Sequence, residues 1–341
     1  MQRRKYVLDQ VINLSQTKVD IPTRNIIDGI ILSINATYSN SSGSDQSLTD
    51  EQLAGAIPEV KVVSDGANTH YALGLSDILI MNYYDTAGKV PRLDSLNTIP
   101  AGGTYNKKFT VRLDGGDIVA AIKQSLSISA QVNRTINTDV SLSDLNIVIT
   151  IDEAVIEDTE ELVNRYGENF EFIAEPKITA IETNVSANTS FSGLVELPSG
   201  NAIIRSFYVS KTTTGVRSNN IIDLYGVVDK NSTVLYKVPF LTGQDLDRQE
   251  YNVDPAIVGV TILDYADEMA PEDSYSELFD DEFGVKGWNF VKGDYLDAFK
   301  VNSAGTIRII RHELICEDGI TAVLNEEIDE EELPEDFGWE I

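Results

Sequence analysis

A long-range near-repeat limits what this 341-residue chain can fold into more than any other feature. Val19, Asp20, Ile21, Pro22, Thr23, Arg24, Asn25, Ile26 and Ile27 run into Ile30, Ile31 and Leu32. Val195, Glu196, Leu197, Pro198, Ser199, Gly200, Asn201, Ala202 and Ile203 run into Phe207, Tyr208 and Val209. Pairing Pro22 with Pro198 and Asn25 with Asn201 sets a shift of 176. A second pair keeps the order and nearly the spacing: Gly116 to Lys123 matches Gly293 to Lys300 at a shift of 177. Phe109, Val111 and Leu113 precede one copy and Trp288 and Phe290 the other, each alternating with polar residues, so each block reads as a helix after a strand. Two copies of one β-rich unit, each about half the protein, are expected.

A third likeness, Leu145–Asp158 with Gly305–Asp318, has a shift of 160. It conflicts with the other two unless the first unit carries an insertion after its helix. Aligning Thr306–Cys316 with Leu126–Ile136 is an equally good alternative.

Strand-like runs dominate both halves. In the first they are Ile26–Asn35, Val60–Val63, Ile78–Tyr84, Tyr105–Leu113, Leu126–Ile136 and Asn146–Ile156, separated by Gly, Asn, Asp, Pro and Ser. In the second they are Ser190–Leu197, Ala202–Ser210, Ile221–Val228, Thr233–Phe240, Ile257–Tyr265, Gly287–Val291, Thr306–Cys316 and Ile320–Leu324. Short helices are expected after Thr49, where Gln52 completes a capping box, from Asp117, from Asp294, and over Asp158–Gly167. Val7, Leu8, Val11, Ile12 and Leu14 fall near helical spacing, which predicts an amphipathic N-terminal helix carrying Arg3, Arg4 and Lys5. The predicted organisation is a basic arm (1–16), a first unit (17–158), a linker with a short helix (159–176), a second unit (177–326) and an acidic tail (327–341). Each unit has strands for two packed four-stranded sheets. The fold class is therefore all-β: two tandem eight-stranded β-sandwiches with a few short helices, which the resemblance given below implies are jelly rolls.

Charge narrows the function classes. The net charge is −29, and Asp264–Glu282 and Glu317–Ile341 hold nine and eleven acidic residues with no Lys or Arg. A surface of that sign does not neutralise phosphates, so sequence-specific nucleic-acid binding is not expected. The acidic runs read as solvating surface, or as carboxylates for divalent cations or a basic neighbour, at Asp264, Asp267, Glu268, Asp280, Asp281 and Glu282. No calcium-loop motif supports a specific site, and no cofactor is expected. Cys316 is the single cysteine, and His70 and His312 stand far apart, which disfavours disulfide, thiol and zinc chemistry. No apolar run approaches the roughly 20 residues of a membrane span, and Met1–Leu8 lacks the apolar core of a secretory signal. The cluster Arg3, Arg4, Lys5 is either a frayed terminus or an arm that meets phosphate-rich surfaces such as lipid head groups.

The Ile21-Pro22-Thr23 stretch with the run Ile26–Ser33, its echo Leu197-Pro198-Ser199 with Ala202–Val209, and the pair Asp117–Lys123 and Asp294–Lys300 together resemble the double jelly-roll major capsid proteins of tailless icosahedral viruses that enclose a lipid membrane. The resemblance covers roughly residues 17 to 326. It implies a non-enzymatic protein of the virion shell, assembled in the host cytoplasm, and a homotrimer in which six jelly rolls make a pseudo-hexameric tile. It also implies contacts with neighbouring capsomers and minor or penton proteins, and an inner side where Arg3, Arg4 and Lys5 meet membrane phosphates. Two rival readings are a secreted or surface adhesin, for which seven N-glycosylation sequons from Asn13 to Asn231 are available, and a tandem jelly-roll glycan hydrolase or amidase using paired carboxylates. With only Trp288 and Trp339 for sugar stacking, and no nucleophile-elbow, phosphate-loop or zinc-protease motif, the enzyme reading has little support.

Overall fold

The computed structural model describes residues 2–90, 93–156, 174–198, 202–265, 288–289 and 295–316. The first half contains β1 (Gln2–Val7), β2 (Ile12–Asn13), β3 (Lys18–Asp20), β4 (Ile26–Asn40), β5 (Gln46–Thr49), α1 (Asp50–Ala54), β6 (Glu59–Ser64), β7 (Asn68–Leu73), α2 (Leu75–Asp85), β8 (Leu96–Ile99), β9 (Thr104–Leu113), β10 (Leu126–Gln131) and β11 (Val140–Val155). The second contains β12 (Ala174–Val185), β13 (Ser192–Glu196), β14 (Ala202–Thr212), β15 (Ile222–Asp229), β16 (Val234–Pro239), α3 (Phe240–Glu250), β17 (Val260–Asp264), β18 (Trp288–Asn289), β19 (Tyr295–Val301) and β20 (Gly305–Cys316).

Each half is an eight-stranded roll of two sheets. The first pairs β1-β11-β4-β9 against β3-β10-β6-β7, and the second pairs β12-β20-β14-β17 against β13-β19-β15-β16. Setting aside the short β2, β5, β8 and β18, both rolls have one strand order: first, eighth, third, sixth in one sheet and second, seventh, fourth, fifth in the other. In both, a helix (α2, α3) follows the fifth strand.

The register carries the duplication to single residues. Ile31 lies opposite Thr150, and Phe207, shifted by 176, lies opposite Ile310, which is Thr150 shifted by 160. The two shifts are therefore both correct, each for its own strands, and the alternative alignment of Thr306–Cys316 with Leu126–Ile136 is overturned. A β-bulge skips Asp28 in β4 and Ile204 in β14, again 176 apart. Bulges are retained features of a fold rather than defects. Next to each bulge a cation on the first strand pairs with a buried glutamate on the eighth: Arg4 with Glu153, and Lys177 with Glu313 at 3.3 Å.

Several sequence expectations are corrected. Gln2–Val7 is a strand, not a helix, because its alternation seats Tyr6 beside Ile151 on the inner face of β11. Tyr295–Lys300 lies in strand β19, inside a sheet, and Asp117–Lys123 holds only a 3-10 turn at Ala120–Ile122, so that pair is neither a helix pair nor a structural repeat: β19 corresponds to β10, through Asp297 and Ile128 at a shift of 169. Ile78–Tyr84 is helix α2. It is buried nearly all round (Leu75, Ile78, Leu79, Ile80, Met81, Tyr83, Tyr84), and an apolar run without periodicity does not distinguish strand from helix. The helix α3 was masked in sequence for the opposite reason: its inward residues Gly243, Gln244 and Asp247 are small or polar, while Leu241 and Leu246 face out. Thr49 and Gln52 form the expected capping box. The expected helix Asp158–Gly167, the strand Ile320–Leu324 and the tail 327–341 lie outside the described residues.

The two cores differ in chemistry. At positions that in the first roll hold Leu32, Ile128 and Ile151, the second holds Tyr208, Asp297 and Arg311. Asp297 is fully buried, ion-paired to Arg311, and accepts from Tyr208 Oη at 2.7 Å and Tyr265 Oη at 3.0 Å. Removing one partner of such a pair strands a buried charge. Asp297→Ala is expected to lower unfolding free energy by about 3–5 kcal/mol, whereas Asp297→Leu with Arg311→Met should recover most of the loss in a urea titration.

Candidate functional site: the roll junction and the free sheet edges

The two rolls are joined edge to edge. β7, the fifth strand of the first roll, pairs in parallel with β12, the first strand of the second, through Tyr71 with Ile178 and Ala72 with Thr179. The inner face of one sheet thereby continues into the outer face of the other, and a single apolar cluster runs from Tyr71 and Tyr84 to Ile178, Phe207, Val209, Val260, Ile262 and Ile310. This explains why β14 and β17 read as continuous buried runs rather than alternating ones. Close approach depends on Gly115, where an added Cβ would lie 2.2 Å from Ile178 Cδ1.

Helix α2 caps this joint. Its Tyr84 ring lies 6.0 Å from Phe207 and 5.7 Å from Tyr251 between centroids. Asp77 takes Arg308 through two bonds of 2.8 and 2.6 Å, and Asp85 takes Arg205 at 2.7 Å. On the same side Glu51 holds Lys211 at 2.9 Å and Arg217 at 2.7 Å. Burial opposes ionisation of Glu51, but Arg217 and Lys211 outweigh it and set its carboxyl below the ordinary range. Glu51, Lys211 and Arg217 border a cleft of about 420 Å³, lined in part by Leu93, Val216 and Val258. On the other side Lys123 pairs with Glu175 at 2.7 Å, and the Val119 amide donates to Glu175 at 3.0 Å.

Both histidines lie here, as structural groups. His312 Nε2–H donates to the Gly115 carbonyl at 2.7 Å, and His70 Nδ1–H donates to the Pro176 carbonyl at 3.3 Å while its Nε2 accepts from Ser64 Oγ at 2.8 Å. Burial, aided by Arg205, pushes His312 down to about 3.

The predicted site residues fall elsewhere. Arg3, Arg4 and Lys5 lie on the β1 edge and pair with Asp28 (3.2 Å), Glu153 and Asp152 (3.0 Å), so they belong to the roll rather than to a detached arm. Arg3 stays 75% exposed. Asp264 ends β17, is buried and accepts from Tyr251 Oη at 3.2 Å, while Asp267, Glu268, Asp280, Asp281 and Glu282 lie outside the described residues. Among the described residues no group of three or more His, Cys, Asp or Glu is arranged to hold a metal ion. Nothing in the residue pattern pointed to the junction, whose cations Arg205, Lys211, Arg217 and Arg308 are scattered singly. Their common signal is a charged residue inside or beside an otherwise apolar strand.

Two expectations follow. Gly115→Ala should cost about 1–3 kcal/mol in thermal or urea unfolding by forcing β12 away. Because the folded value of His312 lies below its unfolded value, its contribution is complete above about pH 6.5 and is lost progressively as pH falls toward 3. The stability slope across that window should flatten in His312→Gln.

No family model and no curated protein matches the sequence. Solved structures do match. The crystal structure of the STIV MCP aligns over 92% of this chain and 97% of its own, with a TM-score of 0.76 and 18% identity. The Faustovirus major capsid protein aligns over 93% and 90% (TM-score 0.60, 8% identity), and the major capsid protein P2 of bacteriophage PM2 over 93% and 98% (TM-score 0.51, 11% identity). What this chain shares with those capsid proteins at such identities is the fold, and that fold is the double jelly roll.

Proposed function

We propose that the chain is the major capsid protein of an icosahedral, membrane-containing virus, acting in the virion as a structural tile and catalysing no reaction. The observation that carries this reading is the match of strand order, bulge and cation paired to a buried glutamate between the two rolls. One chain thus presents nearly the same outline twice. Three such chains supply six similar units, the number that fills a hexagonal lattice position, and closed cyclic symmetry is the common solution for self-association. The full-length alignments to capsid proteins support the same role. Contacts with neighbouring capsomers and with penton or minor capsid proteins are part of the proposal. Native mass measurement of the purified chain should give a trimer at micromolar concentration, and a strict monomer would contradict the reading.

The proposal includes an inner membrane contact at Arg3, Arg4 and Lys5, in a form consistent with their pairing. Arg3, the most exposed of the three, leads, and half-exposed Lys5 follows. Flotation with anionic liposomes should weaken in Arg3→Ala/Lys5→Ala and should fall with added salt. Equal flotation would remove the membrane role and leave the tile role standing.

A further inference from the structure

The chain uses one kind of edge contact internally and leaves the same two edges open at its extremes. Inside the chain, the fifth strand of the first roll (β7) takes the first strand of the second (β12). Among the described residues the corresponding fifth strand of the second roll, β16, pairs only with β15, and the corresponding first strand of the first roll, β1, pairs only with β11. We propose that the contact between copies repeats the junction within each chain: β16 and α3 of one copy dock on β1 and the outer face of β1-β11-β4-β9 of the next. The proposal rests on the trimer reading above and names its interface.

The correspondence is residue by residue. Val62 opposes Tyr71 and Val227 opposes Tyr236, and the shift that relates Tyr71 to Tyr236 also relates the first residues of the two helices, Leu75 and Phe240. Likewise Lys5 opposes Asp152, as Ile178 opposes His312. The internal pairs Tyr71 with Ile178 and Ala72 with Thr179 thus predict Tyr236 beside Lys5 and Lys237 beside Tyr6 across copies, and continuing that register by one residue brings Val238 to Val7.

Exposure agrees with this placement. Met81 of α2 is buried, and its counterpart Leu246 of α3 is 41% exposed. His70 of β7 is fully buried, and its counterpart Leu235 is 44% exposed, with Val234 exposed next to it. On the receiving side Val7 is 57% exposed. Such a collection of uncovered aliphatics on one strand edge and its helix marks a contact surface. Charge agrees as well. Glu250 holds the place of Asp85, which within the chain binds Arg205 at 2.7 Å. The counterpart of Arg205 is Gly29, and over Gly29 lies the guanidinium of Arg112, 3.1 Å from where a Cβ would be. Arg112 is paired with Asp114 at 3.1 Å and Asp152 at 3.6 Å, and it puts a cation at the matching spot.

The open face is more polar than the internal one: Ser33, Thr150 and Asp152 stand where Val209, Ile310 and His312 do in the second roll. A face exposed before assembly tolerates water, whereas the permanently covered one need not.

The test uses the full chain. Leu235→Lys/Leu246→Lys alters two exposed side chains and adds charge next to the basic β1 edge, and native mass spectrometry should show loss of the trimer to single chains with unchanged circular dichroism. Independently, Val7→Cys/Val238→Cys in a Cys316→Ser background should give, on oxidation, covalent ladders of up to three chains, with none from either single cysteine. A trimer that survives the lysine pair, or a trimer with no cross-link, overturns this interface while leaving the trimer reading intact. A wild-type chain that is monomeric defeats both.

Discussion

The short parallel pairing of β7 with β12 is the constraint on which the rest of the molecule depends. Two sandwiches that each cover their own core have no intrinsic reason to adopt a fixed relation. Joining one sheet of each into a single sheet supplies that relation, because backbone hydrogen bonding fixes direction and register together. Once the edges are joined, the outer face of the second roll's sheet faces the helix α2, and Phe207, Val209 and Ile262 become interior residues. The ion pairs Asp77–Arg308, Asp85–Arg205 and Glu51–Arg217 accompany this apolar contact, where their geometry discriminates against a slipped arrangement. Gly115 belongs to the same logic, since only a residue without a side chain admits Ile178.

The duplication persists where geometry demands it and has drifted where it does not. The bulges at Asp28 and Ile204 and the pairs Arg4–Glu153 and Lys177–Glu313 remain at matched positions, because together they set how the third and eighth strands enter each roll. The cores have diverged to the point that Asp297, Arg311 and Tyr208 fill a space held by aliphatics in the first roll. Such a swap is tolerated when the buried carboxylate is well partnered, as Arg311 and the two tyrosine hydroxyls partner Asp297 here.

Much of the architecture was legible in the sequence. The Pro22/Pro198 echo located the second and third strands of both rolls, and the strands around Phe109, Ile149, Phe207 and Ile309 lie where alternation placed them. Helix α1 was legible from its capping box, but the two longer helices were not, for a physical reason: α2 is buried nearly all round, and α3 turns polar residues inward and leucines outward, so neither shows the single apolar stripe that identifies a helix. The N-terminal strand misled similarly, because Val7, Leu8, Val11 and Ile12 span a strand, a turn and a second strand whose combined spacing imitates a helix. The junction itself was not legible at all. A parallel pair between residues some hundred positions apart leaves no local periodicity, and its cations become meaningful only when the fold brings acids to them.

On the assembly proposed above, a single kind of edge contact, used once within the chain, recurs between copies and orders the oligomer. An electron cryo-microscopy reconstruction of the oligomer tests it most directly. The rotation relating the two rolls of one chain should equal, within a few degrees, that relating the second roll to the first roll of the neighbouring copy, at about 60° for six units around a ring. Neighbouring copies that meet through β9, β13 or β17, or rotations that differ widely, would contradict it.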